Sequence, residues 1–68
     1  MMKLKDLDIG EKFKFNKEIW TKGKVVGKVR HELAVDNVDI YLCTSSESRR
    51  RPFNGLTVVE PMQRRINE

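Results

Sequence analysis

The sequence predicts a mostly-β fold: a small barrel or a strongly bent antiparallel sheet of four to five short strands, with a short N-terminal turn. Two observations predict it. Apolar and polar residues alternate with period two in several short stretches, and Gly, Asn, Asp and Pro punctuate them at close intervals. Closing such a sheet also removes the edges that a flat one of this size would expose.

The elements follow in order. Leu4 and Leu7 are three apart, which suits one helical turn, and Gly10 stops it by admitting positive φ. In Glu11-Lys12-Phe13-Lys14-Phe15 the two rings fall on one face and the two lysines on the other, as a first strand requires. Asn16-Lys17-Glu18 reads as a turn. A second strand runs from about Ile19 to Val26, with Gly23 marking a bend or bulge and Gly27 relieving curvature.

A hairpin turning at Asp36-Asn37 is the sharpest local pattern. It pairs Val35 with Val38, Leu33 with Ile40 and His31 with Leu42 on one inner face. Arg30, Tyr41 and Cys43 then share the outer face. The stretch from Thr44 to Pro52 is polar and reads as an exposed loop or the tip of a longer hairpin. Asn54-Gly55 makes a turn or bulge before a last strand around Leu56-Thr57-Val58-Val59, which Pro61 ends. Residues 62–68 form a frayed tail or a short helical turn, so residues 1–68 make one domain.

Size and composition narrow the function. A chain of 68 residues buries only roughly 60% of its unfolded surface, so its core is small. One cysteine, Cys43, permits no internal disulfide, and one histidine, His31, leaves no zinc ligand set. No metal or cofactor is expected. The N-terminus lacks the apolar core of a secretion signal, and the longest apolar run, Ile40-Tyr41-Leu42-Cys43, is far too short to span a membrane. A free thiol suits a reducing compartment, so a cytoplasmic location is expected, and no membrane partner. The net charge of +4 permits an acidic partner and demands none.

The opening Leu4-Lys5-Asp6-Leu7-Asp8-Ile9-Gly10-Glu11-Lys12-Phe13 resembles that of SH3-like small barrels, where a leucine-bearing turn leads through glycine into strand one. The N-terminal domain of translation elongation factor P and many short phage and bacterial proteins begin similarly. Gly23-Lys24-Val25-Val26-Gly27-Lys28-Val29 also resembles the KOW motif of ribosomal and transcription-elongation proteins. The resemblance covers about a quarter of the sequence. It implies an SH3-like barrel and assigns no functional residue.

Catalysis needs tuned, facing groups. The hairpin register puts His31 and Cys43 on opposite faces of the sheet, the carboxylates are dispersed, and no glycine precedes the Lys-Ser or Lys-Thr of a phosphate loop. The expectation is therefore a non-enzymatic binding module. Its partner is a protein, in the manner of a phage-type protein docking on a host factor, and a homodimer is compatible with this reading. The alternative is a nucleic-acid-binding barrel. There Arg49, Arg50 and Arg51 reach phosphates, Lys22, Lys24, Lys28 and Arg30 extend the basic surface, and Trp20, Tyr41 and Phe53 offer stacking faces. These ten residues are the candidate contacts for either partner.

Overall fold

The computed structural model describes residues 2–30 and 37–62. It contains seven antiparallel strands: β1 (Met2–Lys3), β2 (Lys12–Phe15), β3 (Glu18–Thr21), β4 (Val25–Arg30), β5 (Asn37–Ser45), β6 (Arg50–Asn54) and β7 (Val58–Pro61). The order β1-β7-β2-β3-β5-β4, with β6 also on β5, curls into a half-barrel compatible with an SH3-like barrel.

The count exceeds the expected four to five strands for identifiable reasons. The expected second strand divides at Lys22-Gly23-Lys24 into β3 and β4. Both halves still pair with β5, Trp20 with Ser45 and Val25 with Tyr41, so they form one long bent strand. Part of the expected polar loop is β6, the return arm of a longer hairpin, pairing Thr44 with Arg50 and Ile40 with Asn54. β1 adds a two-residue strand on β7, before a 3-10 turn at Leu4–Asp6.

Turn chemistry explains the local geometry. Asn16 and Lys17 both have positive φ, 54° and 67°, and join Phe15 to its cross-strand partner Glu18. That matches the left-handed pair demanded by tight hairpin turns. The opening 3-10 turn already ends at Leu7, which is extended, and Gly10, with φ 97°, sits in the next turn, where Glu11 N–H donates to Asp8 O at 3.0 Å. Gly55 is buried, and a Cβ there would meet the Tyr41 ring at 3.1 Å. This close approach lets Gly55 donate its N–H to Asp39 O and accept from Lys5 N, both at 2.9 Å. The opening turn is thereby tied to the β6–β7 turn.

The core comprises Leu4, Leu7, Phe13, Trp20, Tyr41, Cys43, Phe53 and Val59, with Met2 and Phe15 packed against it. Phe53 is its hub. Its ring meets Phe13, Phe15 and Trp20 edge-on, with centroids 5.7, 5.3 and 5.0 Å apart. Such arrangements add about 0.5–1.5 kcal/mol per pair beyond area burial.

The central hairpin departs from the expected register. Val38 faces Val29, Lys28 faces Asp39, and Arg30 faces Asn37. Six residues, 31–36, therefore separate the paired arms. The expected partners of Val38, Ile40 and Leu42, namely Val35, Leu33 and His31, lie outside the described residues, as does Asp36 of the expected turn. Val29 pairs with Val38 but is exposed. The expected faces are reversed at Tyr41 and Cys43, which lie in the core, not on an outer surface with Arg30, whereas Val38, expected inward, is buried. Cys43 faces Arg51 of β6 instead of Arg30. From Ile40 to Cys43 every residue is apolar, so alternation alone could not choose a face. The aromatic ring of Tyr41 and its cross-strand partner Phe53 decide it.

Candidate interaction surface

The ten expected contact residues fall into three separate places. Trp20, Lys22, Tyr41 and Phe53 are buried, each no more than 9% exposed. Lys24, Lys28 and Arg30 are exposed on or beside β4, and Arg49, Arg50 and Arg51 are exposed on the β5–β6 hairpin. β4 and β6 flank opposite edges of β5, so the two basic groups do not form one patch.

The aromatic residues belong to packing. Trp20, Tyr41 and Phe53 all contribute to the one core cluster. The Trp20 indole N–H is buried and has no acceptor among the described residues, a desolvation cost of about 1–3 kcal/mol. None of the three offers an open stacking face.

Lys22 is a core residue with a charged end. Its ammonium donates to the Leu7 carbonyl and lies 4.1 Å from the centre of the Tyr41 ring. Burial holds its pKa below the ordinary lysine value, against smaller upward pulls from Asp8, Cys43, Asp6 and Glu11. Together the carbonyl and the ring face replace part of the lost hydration. The lysine fastens the opening turn to the sheet rather than presenting a contact to solvent.

Cys43 is fully buried, and its Sγ lies 3.8 Å from the Tyr41 carbonyl oxygen. Burial pushes the thiol pKa up, outweighing the Gly23 backbone hydrogen bond and the Lys22 charge. Reactive thiols are accessible and depressed in pKa, so this one packs. Tyr41 is likewise pushed up, by burial and then by Asp39.

The three arginines do not act as one clamp. Serine chemistry builds their hairpin: Ser45 Oγ accepts from the N–H groups of Glu47 and Arg49, and Ser48 takes positive φ. Arg49 is engaged in an ion pair with Glu18. Arg51 lies over the rings of Phe15 and Phe53, at 5.9 and 5.0 Å. Arg50 lies on the opposite face, at the end of a cross-strand row with Thr44, Thr21 and Lys12.

β4 is different in kind. All six residues are exposed, and among the described residues it pairs with β5 alone. Val25, Val26 and Val29 are 41%, 50% and 41% exposed on it. Val26 is the extra residue of a bulge between the pairs Val25–Tyr41 and Gly27–Ile40. An edge strand carries a row of outward N–H and C=O groups, which is a template for another strand. Sequence reasoning assigned Val26 to the end of a strand and Val29 to the inner face, and so missed this edge. The adjacent Val25-Val26 before Gly27 was the available signal, since two neighbouring valines of a strand cannot both face one core.

Among the described residues there is no group of three or more metal-ligating side chains, and no helix long and apolar enough to cross a membrane. Comparison of the chain with protein families, with curated proteins and with solved structures found no match in any of the three.

Proposed function

We propose that this protein is a non-catalytic binding module that takes a protein partner along the open edge of β4. The observation that carries this reading is the exposure of the whole strand, valines included, together with its having β5 as its one paired neighbour among the described residues. Peptide recognition by strand addition uses such an edge: main-chain hydrogen bonds supply affinity, and alternate side chains supply specificity. A catalytic role for Cys43 is disfavoured by its burial and raised pKa.

The nucleic-acid alternative has less support. Stacking faces are absent from Trp20, Tyr41 and Phe53, Arg49 is paired, and Arg51 is laid across two rings.

The test is recovery of a stoichiometric protein from nuclease-treated lysate, using the wild type, a Val26→Glu, Val29→Glu variant, and an Arg50→Ala, Arg51→Ala variant. The partner should be lost with the β4 variant and kept with the arginine variant. Retention by the β4 variant, or recovery only without nuclease, would reject the reading.

A further inference from the structure

We propose that the segment docking on β4 is an extended acidic peptide in which carboxylates alternate with apolar residues, a large apolar one lying opposite Gly27. The inference rests on the β4 docking reading and specifies the chemistry of what docks.

The two faces of β4 differ. Lys28 and Arg30 share a face with Asp39 and Asn37, while Gly27 and Val29 share the other with Ile40 and Val38. A strand added to the free edge continues both faces, because directly opposed residues point the same way. It therefore meets two cations on one face and an apolar row on the other. Like charges directly opposite are destabilising, and opposite charges are favourable. Carboxylates suit the Lys28–Arg30 face, and apolar side chains suit the Gly27–Val29 face.

Gly27 sharpens the pattern. A Cβ placed there would have nothing within 4 Å, so the apolar row contains an open gap. An aromatic or other bulky side chain on the neighbouring strand covers such an edge glycine. One large apolar residue, two positions from a smaller one facing Val29, completes the row.

Charge also decides between candidate occupants. Lys24, Lys28 and Arg30 are all exposed, and among the described residues Lys28 pairs with Asp39, at 3.5 Å and with the lysine side chain 63% exposed. A second copy of β4 would bring the same cations against these. The chain's own residues after Met62, Gln63-Arg64-Arg65-Ile66-Asn67-Glu68, would bring two more arginines for one glutamate side chain. Lysines on an edge oppose pairing between copies. The same lysines attract a segment of opposite charge, and more strongly at low salt.

The experiment uses the full chain and four fluorescently labelled ten-residue peptides. One alternates Glu and Val with a single central Phe. The second replaces every Glu by Lys, the third replaces every Glu by Ser, and the fourth scrambles the first so that charge is kept and alternation lost. Binding is read by anisotropy and located by backbone amide shifts. The first peptide should bind at least tenfold tighter than the other three and shift the amides of residues 25–30. A Lys28→Glu, Arg30→Glu variant, checked for its fold by circular dichroism, should prefer the lysine peptide. The milder Lys28→Gln, Arg30→Gln variant should lose the preference between the two charged peptides.

Equal binding of the alternating and scrambled acidic peptides overturns the proposal, because charge without strand pairing then suffices. Equal binding of the serine peptide at β4 overturns the acidic chemistry and leaves β4 docking standing. No shift at β4 with any peptide overturns the proposal too, and a β4-dependent partner from lysate would then still support the broader function. Concentration-dependent dimerisation through β4, or its occupation by residues 63–68, shows a different occupant and also rejects it.

Discussion

Gly23 passes so close to Leu42 that a Cβ at position 23 would overlap the Leu42 carbonyl oxygen. The bend between β3 and β4 therefore has no room for a side chain. Gly27, four residues on, has open space where its Cβ would be. The two glycines should respond oppositely to alanine. Gly23→Ala should cost at least ~3 kcal/mol, since the clash is with backbone and cannot be relieved by a rotamer change. Gly27→Ala should be neutral or should stabilise by up to ~1 kcal/mol through the unfolded chain. Urea unfolding of the two variants checks this, and equal effects would contradict the geometry.

Burial of Cys43 gives stability a pH dependence. A thiol whose folded pKa is raised contributes stability that is present below its unfolded value, about 8.5, and lost as pH rises through the folded one. Tyr41 acts in the same direction at higher pH. Lys22 acts oppositely, because its lowered pKa makes the fold gain stability as pH rises through the alkaline range. Comparing Cys43→Ala with the wild type isolates the thiol, as Lys22 and Tyr41 are common to both. The cost of the substitution should be smaller at pH 9.5 than at pH 7.5, measured by urea midpoints. A cost independent of pH would contradict the burial argument.

The arginine hairpin should bind nucleic acid only as any cationic surface does. Affinity for single- or double-stranded DNA and RNA should lie in the non-specific range, about 10⁻⁴–10⁻⁶ M or weaker at physiological salt, and fall steeply as salt rises. Substituting Arg49 alone should change little, because it already engages Glu18. Tight binding that resists salt and collapses in an Arg49→Ala, Arg50→Ala, Arg51→Ala variant would reinstate the nucleic-acid function.

Much of the barrel was legible where side-chain parity was unambiguous. Phe13 and Phe15 alternate with lysines and do face inward, and Gly10, Gly23, Asn54-Gly55 and Pro61 mark turns, bends or ends where expected. Parity failed in β5. Asp39 shares its alternation with Tyr41 and Cys43 and made that face look wet. Asp39 lies opposite Lys28 of β4 with no β6 partner in the register, whereas Tyr41 lies between Val25 of β4 and Phe53 of β6, and Cys43 lies opposite Arg51 of β6. One strand thus changes environment along its length, and a local pattern cannot report that. The candidate site was legible only in its cations. Whether Trp20 stacks on a ligand or on Phe53 depends on strands distant in sequence, and so does the pairing of β4, among the described residues, with β5 alone.

Native-state amide hydrogen exchange across Val25–Arg30 tests the open edge most directly. Alternate N–H groups of an edge strand point toward its one neighbour and away from it. The amides of β4 should therefore alternate between slow and fast exchange in the free protein, with no dependence on protein concentration. Uniform protection along β4, or protection that grows with concentration, would show that the edge is already covered and would contradict the account.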